Sequence, residues 1–403
     1  EKINPEDRYL KEVAGDMNRA ESYENVYVGV YLDGPPEEHD PYFRGQGPPR
    51  KPCIECAGCM VGCRENAKNS LDKNYLYFAE KSGAEILAET RAVKIECHHS
   101  QYLVHVRSST RFFRRKTRSF TCKGLILAGG SLGTLELLLK QKYKYKTLTG
   151  LSDTLGAALL TNSETLCAVS RIPEKTNNGL AITSVFNPDE HTHIEVVKYP
   201  DGSNALKWFF ALSTPGHVSN LKRTLRMIYT SFRHPMKFLR VVFNMRWSTN
   251  LVIFLVMQHI ENAMRMVWKT GLLGGRIVLN NTGHKKVPAY IEVGQQVMEA
   301  YASKTGGIAQ NIILEVLFNR PTTAHLLGGC PMSESISKGV VHPDLSVHGY
   351  PGMYVVDGSV IQGNIGVNPS FTIPAMAEYA MSKIPEKKAE SRKHQIPSLP
   401  ISI

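Results

Sequence analysis

No Gly-x-Gly-x-x-Gly occurs anywhere in these 403 residues. The glycine turn that holds a dinucleotide pyrophosphate at a helix amino terminus is therefore not encoded here. Long apolar runs are missing too. The longest, Leu251 to Met257, is strand-sized and far short of the roughly 20 residues that a membrane-crossing helix needs. The opening Glu1-Lys2-Ile3-Asn4-Pro5-Glu6-Asp7 has neither the cationic nor the apolar stretch of a secretory leader. It begins in mid-pattern, as a truncated product would. Acidic residues are absent between Leu221 and Trp247, although the chain as a whole contains 36.

What is present is ordinary in bulk and uneven in detail. Hydrophobic residues make up 42% and charged residues 21%, as in a globular protein with a large core. Net charge is +12, from 48 basic and 36 acidic residues, and the excess is concentrated. Lys222, Arg223, Arg226, Arg233, Lys237, Arg240 and Arg246 alternate with aliphatic and aromatic residues at near-helical spacing. Two readings fit: a helix lying on an anionic membrane surface, or an amphipathic helix with a solvated basic face. No recognition motif accompanies the charge, so nucleic acid is not an expected partner. The expected location is the cytoplasm, with residues 221–247 peripheral at a membrane.

Along the chain, residues 1–52 read as an extended, Pro/Gly-rich region. Asn69 to Lys81 reads as a helix capped by Ser70, and Glu85–Ala88, Ala92–Cys97 and Tyr102–Arg107 read as strands. Leu125 to Ala128 is an apolar strand that breaks at Gly129-Gly130 and enters a helix over Leu132–Lys140. Strands then dominate to Asn280, at Thr165–Ile172, Ile194–Lys198, Ala205–Leu212, Leu251–Gln258 and Arg276–Leu279, which predicts a mostly antiparallel sheet. Ile291–Ala309 reads as a helix, and the polar tail after Pro385 as disordered.

The chemistry gathers at the carboxy-terminal end. His325 lies in Thr322-Thr323-Ala324-His325-Leu326-Leu327-Gly328-Gly329-Cys330, where glycines let backbone approach a ligand. An imidazole there is suited to general-base work. Asp357-Gly358 ends the strand Met353–Val356. Asn368-Pro369 opens a helix, with Asn in a favoured capping position and Pro at the first helical one; Pro374 falls in its second turn, where it would bend it. A helix amino terminus stabilises anionic charge.

Three other patterns carry chemistry of different kinds. Gly129-Gly130-Ser131-Leu132-Gly133 fits the nucleophile elbow of an α/β-hydrolase, with Ser131 attacking, His325 as base and Asp153 or Asp201 as acid. Cys53, Cys56, Cys59 and Cys63 have ferredoxin spacing, though Arg64 stands where ferredoxins carry proline; zinc or disulfides are the alternatives. His191 and His193 share a face of a strand and form a metal edge or plain surface polarity.

His325 among its glycines, then Asp357-Gly358, then Asn368-Pro369-Ser370, resembles the carboxy-terminal catalytic module of the glucose-methanol-choline (GMC) flavin oxidoreductases. The likeness is strongest to the bacterial cholesterol-oxidase-like branch. Leu125-Ile126-Leu127-Ala128-Gly129-Gly130-Ser131-Leu132-Gly133-Thr134 and Gly62-Cys63-Arg64-Glu65-Asn66-Ala67-Lys68-Asn69 are similar to two further segments of that family. In the second of these the cysteine run belongs to the structural framework, so no metal is assigned.

The resemblance implies a two-domain α/β protein. Residues 1–150 and 321–385 would form a Rossmann-like FAD-binding domain lacking its first βαβ unit, residues 151–320 a substrate domain with a large, mostly antiparallel sheet, and 386–403 a disordered tail. FAD is the implied cofactor, near Val93, Ala128, Gly129, Asp357, Gly358, Asn368, Pro369 and Ser370. The implied reaction is oxidation of an apolar ring alcohol such as a sterol, with His325 taking the hydroxyl proton and Asn368 as its partner. The steroid-isomerising glutamate of that branch has no match in Trp247–Gln258, which contains no acidic residue. With the glycine unit missing, this chain is expected to bind FAD poorly and to expose apolar surface beside Leu125–Ala128.

Overall fold

The computed structural model describes residues 4–385 other than 100, 112, 114, 115, 215, 217, 218, 272, 273 and 282–284; the tail expected beyond Pro385 lies outside them. Leu251–Gln258 is the central strand of a seven-stranded antiparallel sheet. Across that sheet the order is Glu24–Asn25, Ile182–Phe186, Thr192–Val197, Leu251–Gln258, Thr165–Ser170, Ile308–Ile312 and Phe210–Leu212. The central strand is apolar from Leu251 to Met257 because both its faces are covered. Val252, Phe254 and Val256 point one way, into a core shared with Leu10, Val13, Val297, Met298 and Tyr301. Leu251, Ile253, Leu255 and Met257 point the other way, towards Trp247 and Phe210.

The described helices are α1 (Pro5–Asp16), α2 (Tyr75–Lys81), α3 (Gly130–Leu139), α4 (Asn220–Arg233), α5 (Pro235–Val242), α6 (Glu292–Thr305), α7 (Ile313–Phe318) and α8 (Thr372–Lys383). The region 1–52 is thus not wholly extended. Pro5 sits at the start of α1 with Glu6 and Asp7 in its first turn, a favoured arrangement. Full burial of Leu10 and Val13 is worth about 1.5–3 kcal/mol each. Two carboxylates orient the helix: Asp7 accepts from Thr183 and Ser184 at 2.7 and 2.6 Å, and Glu6 pairs with the fully buried Lys198. Residues 5–25, grouped above with 1–150, therefore add a helix and a short strand to the large sheet.

Several boundaries differ from the sequence reading. A 3-10 turn covers Leu71–Lys73, and α2 begins only at Tyr75, capped by the Asn74 side chain rather than by Ser70. Glu85–Ala88 forms no strand, whereas Thr117–Cys122 joins Thr90–His98 and Gln101–Ser108 in a three-stranded sheet. Ser203–Phe209 is a 3-10 helix, leaving only Phe210–Leu212 as strand. Gly306 ends α6 in the left-handed region, so Ile308–Ile312 can turn back as a strand. Helix α8 starts at Thr372, four residues after Asn368, and its Pro374 lies in the first turn, where a missing N–H is tolerated and no bend is imposed.

Leu125–Leu127 and Met353–Val355 pair in parallel as a two-stranded sheet. Met353–Val355 is bridged on its other side by residues 345–347, whereas the outer edge of Leu125–Leu127 has no strand neighbour among the described residues, and Ile126 is 47% exposed. The apolar surface expected beside Leu125–Ala128 is present.

Candidate active site

The parallel pair ends in two tight connections that are tied together. After Leu127 the chain turns through Ala128 and Gly129 into α3; after Val355 it turns through Asp357 and Gly358. Asp357 is buried, and its carboxylate is used within the protein: Oδ2 accepts from Thr134 Oγ1 at 2.5 Å, and Oδ1 accepts from Ser359 N and Oγ at 2.9 and 2.6 Å. A Cβ on Gly358 would lie 3.4 Å from Ser131 Oγ and 3.2 Å from Leu327 Cδ2. Asp357 and Gly358 thus join the α3 turn to the His325 loop.

Gly328 and Gly329 are required for a different reason from the ligand approach expected of them. A Cβ on Gly328 would sit 2.0 Å from the Ala158 carbonyl oxygen, and one on Gly329 would sit 2.3 Å from Leu135 Cδ1. Both have positive φ, 70° and 105°. They let the loop pack against protein.

Two buried carboxylates clamp the His325 loop through successive threonines. Thr322 Oγ1 donates to Glu315 Oε1 at 2.6 Å, and Thr323 Oγ1 donates to Glu164 Oε2 at 2.9 Å. Ala324 N donates to Glu164 Oε1 at 3.1 Å. His325 Nδ1 stands 2.9 Å from Glu164 Oε2, at ion-pair distance but without hydrogen-bond alignment. The imidazole is 14% exposed and Glu164 only 1%.

Asn368 is bound elsewhere. Its Nδ2 donates to Glu195 Oε1 at 2.7 Å, and His193 Nε2 reaches the same oxygen at 3.2 Å. The pairing expected with His325 is replaced by one with a strand carboxylate. Asn162 fixes the preceding loop by accepting from Gly366 N at 2.8 Å and donating to Val367 O at 2.9 Å.

Glu195 lies opposite Leu255, which also faces Leu166, so these side chains share one face of the sheet. Glu164 continues that alternation just before the strand Thr165–Ser170. The two strands flanking the central one are about 10 Å apart. His325 and Asn368 are therefore held by carboxylates on either side of an apolar stripe. Glu164, Glu195 and Asn162 escaped the sequence reading, and His193 was read there only as a metal edge or surface polarity; for the two carboxylates the available signal was a charged residue at an inward position of an apolar strand.

Glu315 controls the same loop from beneath. Burial pushes its carboxyl up from 4.5 to about 7, against the Thr165 and Thr322 hydroxyls and the charge of Arg223. The folded form holds its proton more tightly than the unfolded chain does. Its contribution to stability is complete below about pH 4.5 and is lost as pH rises through about 7, roughly 3 kcal/mol in all. Burial also raises Glu6 to about 7, with the same sign. In urea titrations between about pH 5 and pH 8, the wild type should lose stability with rising pH, and Glu315→Gln should lose distinctly less. Superimposable curves would show that Glu315 does not titrate in that range.

The other patterns fall outside this arrangement. Ser131 is buried and donates to the Leu326 carbonyl at 2.9 Å, not to His325. Asp153 is 97% exposed and paired with Lys142, and Asp201 is held by Asn177. These contacts do not form a hydrolase triad. His191 precedes the strand that carries His193. The four thiols of Cys53, Cys56, Cys59 and Cys63 are free. Burial, then the charges of Cys59, Cys56 and Cys63, pushes Cys53 up. Among the described residues no group of three or more His, Cys, Asp or Glu side chains could hold a metal ion. Backbone bonds from Ala57 N to Gly179 O and from Gly179 N to Glu55 O, both 2.9 Å, tie the cysteine loop to the chain beyond Ser170. Val93 lies half-buried on the strand Thr90–His98, where its carbonyl accepts from Gln141. A cavity of about 420 Å³ between α3 and the hairpin Arg265–Asn280 contains none of the site residues.

The fit to FAD rests on the open end of the parallel pair. Ala128, Gly129 and Gly130 are exposed there, and a Cβ on Gly130 or Gly133 would meet nothing within 4 Å. Ligands of open α/β sheets bind at such carboxyl ends, and α3 directs its amino terminus at the same place. Glu195 Oε2 is buried with no hydrogen-bond partner beside Asn368. A bare glycine turn, a helix amino terminus and an unsatisfied polar atom suit the flavin and ribityl end of FAD.

Comparison with known proteins agrees with this geometry. The amino- and carboxy-terminal profiles of the GMC oxidoreductases match residues 49–143 and 226–377. A cholesterol oxidase of Mycobacterium tuberculosis is 39% identical, over 96% of this chain and 69% of its own length. One from Acinetobacter baumannii is 37% identical, over 96% and 71%. A long-chain-alcohol oxidase of Arabidopsis thaliana is 23% identical, over 84% and 47%. The crystal structure of a pyridoxine 4-oxidase superposes with a TM-score of 0.51 at 13% identity, over 94% of this chain and 70% of that one, a likeness of fold.

Proposed function

The chain belongs to the GMC oxidoreductase family, and from that premise we propose that it oxidises an apolar ring alcohol of the sterol class with FAD, using His325 as the base. The observation that carries this reading is the imidazole of His325 with its Nδ1 2.9 Å from a buried carboxylate, beside an apolar sheet face. FAD, when bound, supplies the hydride acceptor. Ala128, Gly129, Asp357, Gly358, Pro369 and Ser370 would hold its ring and ribityl end, with Val93 further along the same side.

The remaining chemistry belongs to the chain. With Nδ1 within ion-pair distance of Glu164, Nε2 is the nitrogen that would accept the hydroxyl proton. Glu164 keeps the ring in that orientation and balances the imidazolium that forms. Asn368 is anchored by Glu195 through its Nδ2. Leu166, Leu255 and Ile253 form an apolar wall that excludes water and favours a ring skeleton over a short polar alcohol. The names of the cholesterol oxidase relatives support the sterol class.

Anaerobic rapid mixing of the flavin-loaded protein with a 3-hydroxysterol tests the proposal. Flavin absorbance should bleach with the sterol at least tenfold faster than with a short linear alcohol at equal concentration. Equal rates for the two alcohols would remove the sterol reading; no bleaching by any alcohol would remove alcohol oxidation.

A further inference from the structure

Helix α4 is amphipathic the wrong way round. Leu221, Leu225, Ile228, Tyr229 and Phe232 fall on one side of the helix at three- and four-residue spacing, and all are exposed, Phe232 at 81% and Leu221 at 70%. A charged residue faces the interior instead. Arg223 is 1% exposed and donates from Nη1 to the carbonyls of Ala289 and Glu315 at 3.3 and 3.2 Å, with Tyr290 stacked on its guanidinium. The helix is docked through its arginine, and its apolar stripe points outward. A surface helix of a self-contained protein does the reverse.

The apolar stripe does not end with α4. His234-Pro235 breaks the helix, and the stripe continues in α5 with Met236, 70% exposed, and just after it with Phe243, 68% exposed. Trp208 and Phe209 are exposed as well, and lie next to α5 because Lys207 Nζ donates to Val242 O at 2.8 Å. The result is a contiguous apolar patch, far from the isolated exposed side chains usual on a surface. Lys222, Arg233, Lys237, Arg240 and Arg246 border it, and no acidic residue occurs between Leu221 and Trp247.

We propose that α4 and α5 form a membrane-docking surface, whose apolar stripe inserts into the headgroup–acyl boundary of an anionic phospholipid bilayer while the flanking cations pair with lipid phosphates. No helix among the described residues is long and apolar enough to cross a membrane, so the attachment lies in the plane of one leaflet. Charge selects this occupant over a second copy of the chain. A two-fold contact through this face would set the same cations against each other with no carboxylate from the segment between them. Nucleic acid would be met by cations at the centre of the patch, and here the centre is aliphatic and aromatic. The inference does not depend on the flavin chemistry.

Co-sedimentation of the full chain with phosphatidylcholine vesicles, with and without phosphatidylserine, tests it. The wild type should pellet with the serine-containing vesicles at least tenfold more strongly than with phosphatidylcholine alone, and less so as salt is raised. Leu225→Glu/Phe232→Glu should abolish pelleting, and Lys237→Glu/Arg240→Glu should reduce it at least tenfold, with thermal midpoints and oxidation of a detergent-dispersed substrate unchanged. No vesicle binding by the wild type, or binding that neither double variant weakens, would overturn the proposal. So would a dimer in sedimentation velocity that Leu225→Glu/Phe232→Glu disperses, since a second copy would then cover the face.

Discussion

In a version of the protein that carries the glycine-turn unit, replacing His325 by alanine is expected to slow alcohol-dependent flavin reduction by about 10²–10⁴-fold, the usual size of a general-base effect, while FAD stays bound. The imidazole is mostly buried and its Nδ1 stands 2.9 Å from Glu164 Oε2, so Nε2 is the nitrogen left for the substrate. Removing the ring takes away the proton acceptor and leaves the Gly129 turn and Gly358 untouched. Stopped-flow absorbance gives the reduction rate and the visible spectrum gives flavin content. A variant that reduces its flavin near the wild-type rate would show that another group takes the proton.

Glu164 should matter nearly as much, as a positioning residue acting through His325. Its substitution is expected to lower kcat by on the order of 10²–10⁴-fold, as loss of tautomer control does in other His–carboxylate pairs, with KM little changed. Glu164 also holds Thr323 Oγ1 and Ala324 N, so a merely structural role must be separated. Glu164→Gln keeps the volume and one accepting oxygen but loses the charge, and it should be as slow as Glu164→Ala. Glu164→Asp keeps the charge on a shorter arm and should recover part of the rate. If Gln restores kcat and Asp does not, Glu164 supports the loop and does not orient the base.

Part of the site could be read from the chain because it is local. His325 among its glycines, the strand ending at Asp357-Gly358 and the Gly129-Gly130 break before α3 are each contained within about ten residues. Local backbone demands of that kind leave a mark in sequence. The same directness misled at Gly328, where a glycine near a catalytic residue suggests ligand approach and the close neighbour is the Ala158 carbonyl. It misled at Asn368 as well, since Asn-Pro is a helix-opening pair and the helix waits until Thr372.

The sequence alone determined the family, the central apolar strand and the basic segment at 221–247, because composition, spacing and alternation are properties of neighbouring residues. Tertiary structure alone decided the partners. Glu164 meets His325 across 161 positions, and Glu195 meets Asn368 across 173. Nothing in the sequence around either carboxylate names its partner, because the contact is set by strand register and by the path of a returning loop. The orientation of α4 was undetermined for the same reason. Periodicity shows that a helix has an apolar side, and only packing, here the burial of Arg223, shows which side faces out.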